Sequence, residues 1–250
     1  VTEDKGIIAG KNSVLEALKA NRPINKIFLA DSTIPAGVGN IIALARELQV
    51  PIKRVDRRKL DEMCKTAKHQ GVAATVPPKE YMDLDQLVKQ SFQASASPVL
   101  LMLDEVEDPR NLGAIIRNVE GLGAQGAIIP KHRAVPLTEG VNKASAGTLN
   151  YVPVARVTNL VQTLEYLKEK GFWVVGADAQ APELVWKVKL DGPLVVIIGG
   201  EDKGIGRLVR ENCDYLVRLP MSGKINSLNA SVAAGIMLYE ISRQKLSGSI

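Results

Sequence analysis

Five polar side chains, on Asn111, Arg117, Glu201, Ser227 and Asn229, stand in three short segments of this 250-residue chain. The first segment is Leu103-Asp-Glu-Val-Glu-Asp-Pro-Arg-Asn-Leu-Gly-Ala-Ile-Ile-Arg117, the second Ile197-Ile-Gly-Gly-Glu-Asp-Lys-Gly204, and the third Leu219-Pro-Met-Ser-Gly-Lys-Ile-Asn-Ser-Leu-Asn-Ala-Ser231. Groups of these types bind and orient. A guanidinium offers a planar fork of donors to a phosphate or a carboxylate, a carboxamide both donates and accepts, and a carboxylate accepts from either. Taken singly, each also has a plain structural reading: Asn111 as the N-cap of a helix that carries Arg117, Arg117 as a surface charge, Glu201 as a turn residue, Ser227 as a helix cap.

The elements that must position these residues are legible as apolar runs. Val99 to Leu103, Ala127 to Ile129, Val152 to Val154, Trp173 to Val175, Leu194 to Ile198 and Tyr215 to Leu219 alternate with helical patterns, which predicts a parallel sheet covered by helices. The three polar segments then fall at the carboxyl ends of strands, where open α/β sheets form their ligand crevices. A last helix is expected from about Ser227 to Gln244. Upstream, Ile24 to Ala30, a helical stretch around Ile41 to Leu48, Ile52 to Val55 and Gly71 to Val76 describe a separate small α/β module. Pro77-Pro78 and the polar stretch Gln93 to Ser97 bracket a connecting segment with one short helical pattern, Leu84 to Val88. The expected organisation is therefore a module at 1–77, a linker at 78–97 and an α/β domain at 98–250.

Charge is distributed unevenly between these parts. Residues 1–77 hold 13 Lys and Arg against 8 Asp and Glu, while residues 78–250 hold 19 of each, so the whole net charge of +5 lies in the module. Its densest part comprises Lys53, Arg54, Arg57, Arg58, Lys59, Lys65 and Lys68. Such a patch suits a polyanion, because each phosphate neutralised releases condensed counterions; a solvated helix face is the alternative reading.

Other chemistries find little support. The two cysteines, Cys64 and Cys213, are far apart, and the two histidines, His69 and His132, do not make a metal cluster or a Ser-His-Asp triad, so no metal is expected. No apolar run approaches the roughly 20 residues of a membrane span, and a cytoplasmic protein is expected. Gly121, Gly123 and Gly126 have the GxGxxG spacing of dinucleotide-binding loops, yet they close a helix instead of opening one. Gly199 and Gly204 have the outer spacing of a phosphate-binding loop, but Ile205 and Gly206 stand where Lys and Ser or Thr are required.

Together the three segments resemble the sequence motifs of the SpoU family of trefoil-knotted RNA methyltransferases, Asn226-Ser-Leu-Asn-Ala-Ser231 being the most specific stretch. Gly10-Lys-Asn-Ser-Val-Leu-Glu-Ala-Leu18, His69-Gln-Gly-Val72 and Pro153-Val-Ala-Arg-Val-Thr-Asn-Leu160 look like bacterial ribosomal RNA guanosine 2′-O-methyltransferases with an N-terminal RNA-binding domain. The resemblance implies a knotted homodimer that binds S-adenosylmethionine through Gly199, Gly200, Leu219, Met221 and Leu228. It implies 23S rRNA as the substrate, held by Arg54, Arg57, Arg58, Lys59, Lys68, His69 and Gln70. Gly200 stands where relatives often carry alanine, and either residue is expected to fit.

For the catalytic set the resemblance implies Asn111, Arg117, Glu201, Ser227 and Asn229. A guanidinium stays protonated in proteins, so Arg117 is expected to hold a target phosphate while another group, not identified by the sequence, takes the hydroxyl proton. Asn111 and Asn229 are expected to orient the ribose, Ser227 to hold the loop or touch substrate, and Glu201 to fix Arg117 through a paired charge. Alternatives are a tRNA ribose methyltransferase, a resistance methylase acting on rRNA, and a non-enzymatic, ribosome-associated RNA-binding protein.

Overall fold

In the computed structural model, which describes residues 6–19, 21–34, 37–64, 69–77, 79–224 and 227–247, the chain divides into two units, Val1–Lys79 and Glu80–Ile250. The first runs β1 (Gly6–Ala9), α1 (Lys11–Lys19), β2 (Lys26–Ala30), α2 (Gly39–Glu47), β3 (Ile52–Val55), α3 (Arg57–Cys64), β4 (Val72–Val76). Its sheet has the order β1-β4-β2-β3, with β2 and β3 parallel and the other pairs antiparallel. Alternation along β2 explains the layers, since successive side chains face opposite sides of a sheet. Ile27 and Leu29 join the core made with α1 and α2, while Phe28 and Ala30 turn to the other face, where Leu60 of α3 is fully buried. With Leu60 facing the sheet, Arg57, Arg58 and Lys59 remain exposed.

The second unit runs α4 (Leu84–Ala94), β5 (Val99–Asp104), α5 (Pro109–Gly121), β6 (Gly126–Pro130), α6 (Glu139–Ala144), β7 (Val154–Val157), α7 (Leu160–Glu169), β8 (Trp173–Ala177), β9 (Glu183–Leu184), β10 (Leu194–Gly199), α8 (Arg207–Glu211), β11 (Tyr215–Arg218), α9 (Ala230–Ser247). Its seven strands are all parallel, in the order β7-β6-β5-β10-β8-β11-β9. Both faces are covered, as the unbroken apolar runs require. Leu101, Leu103, Val196 and Ile198 pack with α5 and α9, and Leu100, Met102, Val195 and Ile197 pack with α4, α7 and α8. From β5 the chain moves outward to β6 and β7, then returns to the other side of β5, so β5 and β10 form the switch point at which neighbouring loops diverge and leave a crevice.

Several expectations are corrected. Residues 84–94, assigned to the linker, form α4, whose Leu87 and Val88 belong to the second unit's core. The strand expected at Val152 to Val154 lies at Val154–Val157. Helix α5 starts at Pro109, with the Asp108 carboxylate accepting from Arg110 N at 2.6 Å, so Asn111 is not its cap. Helix α9 starts at Ala230, and its second and third N–H groups, on Ser231 and Val232, donate to Asn229 Oδ1 at 3.0 and 3.4 Å, the capping role expected of Ser227. Gly121 does close α5 and Gly126 opens β6, the arrangement that excludes a dinucleotide loop.

Candidate active site

A cavity of about 400 Å³ opens at the carboxyl ends of β8, β10 and β11. Gly199, Gly200, Leu219, Met221 and Leu228, the five residues expected to hold cofactor, all line it, as do Glu201 and Ser227. Its walls also include Ala177, Asp178, Ala179 and Gln180 after β8, together with Ile205 and Arg210, which sequence reasoning missed. Nothing in the types of those residues marks them; the pairing of β8 beside β10 brings in residues 177 to 180, and Ile205 and Arg210 follow the turn after β10.

The glycine-rich turn after β10 is built by close backbone approach. A Cβ on Gly199 would lie 2.0 Å from the carbonyl carbon of Gly204, so only glycine fits. At Gly200 a Cβ would lie 2.5 Å from the carbonyl oxygen of Glu105, which corrects the expectation that alanine is equivalent there: the loop after β5 would have to move. Asp104 brackets this turn, its carbonyl accepting from Gly200 N at 2.8 Å and its carboxylate from Gly206 N at 2.8 Å. Burial pushes the Asp104 carboxyl above its ordinary pKa, with the Gly206 bond opposing.

Asn111, Glu201 and Asn229 meet although they come from three segments. Asn111 Nδ2 donates to Glu201 Oε1 at 3.2 Å, Asn229 Nδ2 donates to Asn111 Oδ1 at 2.9 Å, and Asn229 Nδ2 also donates to Glu201 Oε1. The same oxygen accepts from Ala230 N at 3.4 Å, at the positive end of the 18-residue α9. Glu201 is thus held by two amides and a helix end, which corrects the expected pairing with Arg117. Arg117 stands exposed on α5, away from the walls of this cavity and of the one beside it. Six residues of helix from Asn111 turn it roughly 240° around the axis. Its neighbour Asn118 donates to Ser231 O at 2.8 Å and ties α5 to α9.

A second cavity, about 290 Å³, lies in the crevice between the β5–α5 and β10–α8 loops. Glu105, Glu107, Asp108, Asn111, Arg133, Asp202 and Lys203 line it, and it shares Gly200, Glu201, Asp202, Lys203 and Ala230 with the first. Glu105 accepts from Arg133 and, at 3.5 Å, from Lys203. Both Glu105 and Arg133 have left-handed backbones, with φ of 59° and 56°, conformations that non-glycine residues adopt chiefly where surrounding structure enforces them. Among the described residues no group of three or more His, Cys, Asp or Glu is placed to hold a metal ion.

In the first unit Arg54, Arg57, Arg58, Lys59 and Gln70 are exposed on and beside α3; Lys68 lies outside the described residues. His69 is a correction. Its ring is fully buried, with Nδ1 accepting from Gly71 N at 3.0 Å and Nε2 facing Asp61 Oδ1 at 2.8 Å, so it cannot touch a ligand at the surface. Since Nδ1 accepts a backbone N–H, the ring proton sits on Nε2 and is donated to Asp61. The histidine fastens α3 to the turn that carries Gln70.

A parallel sheet with a glycine-walled cavity beside its switch point and a separate basic module define a two-part protein suited to a small ligand and a polyanion. Residues 98–239 match the SpoU rRNA Methylase family, and residues 7–82 match the family described as RNA 2′-O ribose methyltransferase substrate binding. The chain belongs to the SpoU family and is an S-adenosylmethionine-dependent RNA methyltransferase. It is 48% identical over 245 residues, 98% of both chains, to YacO of Bacillus subtilis (strain 168), which is assigned to the TrmH family of tRNA/rRNA methyltransferases. A protein of the same assignment from Staphylococcus aureus (strain MSSA476) is 42% identical over 239 residues, 96% of each chain. The SpoU methyltransferase AviRb from Streptomyces viridochromogenes superposes with a TM-score of 0.76 at 25% identity, over 98% of this chain and 91% of that one. Its complex with AdoMet gives 0.74 at 24% identity, over 97% and 91%.

The first cavity fits the cofactor. Its volume is that of a small-molecule site, Gly199 and Gly200 let backbone approach closely, and its walls mix apolar side chains with polar and charged ones, Asp178 being paired with Arg210 at 3.0 Å.

Proposed function

We propose that the chain methylates a ribose 2′-hydroxyl of RNA, the target being a guanosine of 23S rRNA, in the cytoplasm. The observation that carries this reading is the hydrogen-bonded set Asn111, Glu201 and Asn229, in which Glu201 lines both cavities and Asn111 the second. When bound, S-adenosylmethionine supplies an electrophilic methyl group on a sulfonium. The protein's own tasks are then to align a poor nucleophile and to manage its proton. Asn111 and Asn229 orient the ribose, Ser227 holds the loop or touches substrate, and the exposed Arg117 holds a backbone phosphate.

Residues 1–77 capture RNA, and residues 98–250 hold cofactor and perform the chemistry. The exposed cations on α3 support this division. Arg57, Arg58 and Lys59 occupy the first turn, where the helix dipole disfavours positive charge by about 0.3–1 kcal/mol each; Lys59 is offset by an ion pair with Glu62 at 3.4 Å, and stability does not explain the two arginines. The chain is further read as a homodimer with a knotted C-terminal domain, in which the last segment threads an earlier loop. The exposed stripe Val232, Ile236 and Tyr239 on α9, at helical spacing, suits a second copy. The test is a map of 2′-O-methyl marks in the rRNA and tRNA of a deletion strain. Loss of one mark on a 23S guanosine is expected; loss confined to tRNA would move the substrate to that class.

A further inference from the structure

The two cavities meet at Glu201, and the two oxygens of its carboxylate are used differently. Oε1 accepts from Asn111, Asn229 and the Ala230 N–H, whereas the described residues provide Oε2 with no hydrogen bond. Three donors converge on the first oxygen and leave the second as the free basic end of the carboxylate. The nucleophile of a methyl transfer must stand beside the methyl donor, and among the described residues the shared wall of Gly200, Glu201, Asp202, Lys203 and Ala230 borders both compartments. Arg117, expected to hold a phosphate, is on another part of α5 and stays charged.

We infer that the second cavity receives the target nucleotide and that Glu201 Oε2 is the proton acceptor for its ribose hydroxyl. The O–H bond breaks with its proton passing to Oε2, the oxygen's electron pair forms the O–CH3 bond, and the S–CH3 bond breaks to leave neutral S-adenosylhomocysteine. Lys203 and Arg133, tied to Glu105 in the same cavity, balance part of the negative charge around this oxygen. Facing groups that also titrate or carry charge are Asp202 on the same turn, Glu105, Glu107 and Asp108 after β5, Asp178 after β8 and Arg210 on α8; Ser227 to Ala233 contribute none.

The test uses the full-length protein, S-adenosylmethionine and an unmodified transcript of bacterial 23S rRNA. Glu201→Gln keeps an acceptor for the three Oε1 bonds and removes only the basic oxygen. Binding of cofactor and of transcript is expected to change by no more than about twofold, while the single-turnover rate falls by on the order of 10² to 10⁴, the usual contribution of a positioned base. The decline of the wild-type rate at acidic pH is expected to vanish in Glu201→Gln and to persist in Glu201→Asp, which retains a carboxylate. A Glu201→Gln rate within a few-fold of wild type, or an acidic decline that survives in it, would overturn the inference. If Glu201→Gln fails to bind cofactor, Glu201→Asp decides: a slowed rate with the acidic decline intact supports the acceptor role, and a decline absent there refutes it. The inference rests on the ribose reading above. Nucleoside mass spectrometry of the wild-type product separates the two failures, since a methyl group on a base would refute that reading whatever Glu201 does.

Discussion

On α3, Arg57, Arg58 and Lys59 stand in solvent at a helix end whose dipole disfavours them, whereas Asn111 and Asn229 are hydrogen-bonded to each other and to Glu201, which lines two cavities. The difference is one of required precision. Capturing a polyanion needs charge at the surface, tolerates side-chain freedom and works over a Debye length of about 8–10 Å. Aligning one hydroxyl with one methyl group needs atoms held within a fraction of an ångström, and hence rigid turns and shared donors. The second unit supplies that rigidity through Asp104, which fastens both ends of the Gly200 to Gly206 turn, and through Gly199, where no side chain fits.

The largest effect that sharpens this comparison is expected at Arg117, the one catalytic candidate that, like the first unit's cations, carries a positive charge at the surface. As a planar phosphate clamp, Arg117→Lys should slow single-turnover methylation by on the order of 10² to 10³ without recovery at high pH, because lysine keeps the charge and loses the fork. A mutant rate that climbs toward wild type between pH 6 and 10 would make residue 117 a base instead. Cofactor affinity should not change.

Next in size is Gly199→Ala. The added methyl would meet the Gly204 backbone, and overpacking of this kind costs about 1–3 kcal/mol. Cofactor affinity in a calorimetric titration should fall roughly tenfold or more with it, while RNA affinity should be unaffected. An equal loss in both would mean that the two regions are not independent.

Much of this arrangement is legible in the chain before its fold is known. Runs such as Val99 to Leu103 and Leu194 to Ile198 have the length and unbroken apolar character of strands buried on both faces, and the glycines and asparagines after them lie where such sheets open. Short or tertiary features are not legible. Strand β9 has two residues, too few for a period, and α4 reads as a connector because its packing partners, β7 among them, are distant in sequence. His69 lies beside exposed Gln70 and near several lysines, and only the packing of Asp61 and Gly71 around it reveals that it is internal. The partner of Glu201 was equally hidden: charge complementarity pointed to Arg117, but helical rotation carries Arg117 away and strand order brings Asn111 and Asn229 in.

The separation of capture from chemistry is tested most directly on full-length protein with Arg57, Arg58 and Lys59 all replaced by alanine. Affinity for a 23S rRNA transcript is measured across a salt series, alongside calorimetric binding of S-adenosylmethionine. Each phosphate that is no longer neutralised should lower the slope of log affinity against log salt by about 0.7–0.9, so a drop of up to roughly two to three is predicted, with the cofactor isotherm unchanged. An unchanged salt slope, or cofactor affinity that falls in step with RNA affinity, would contradict the account.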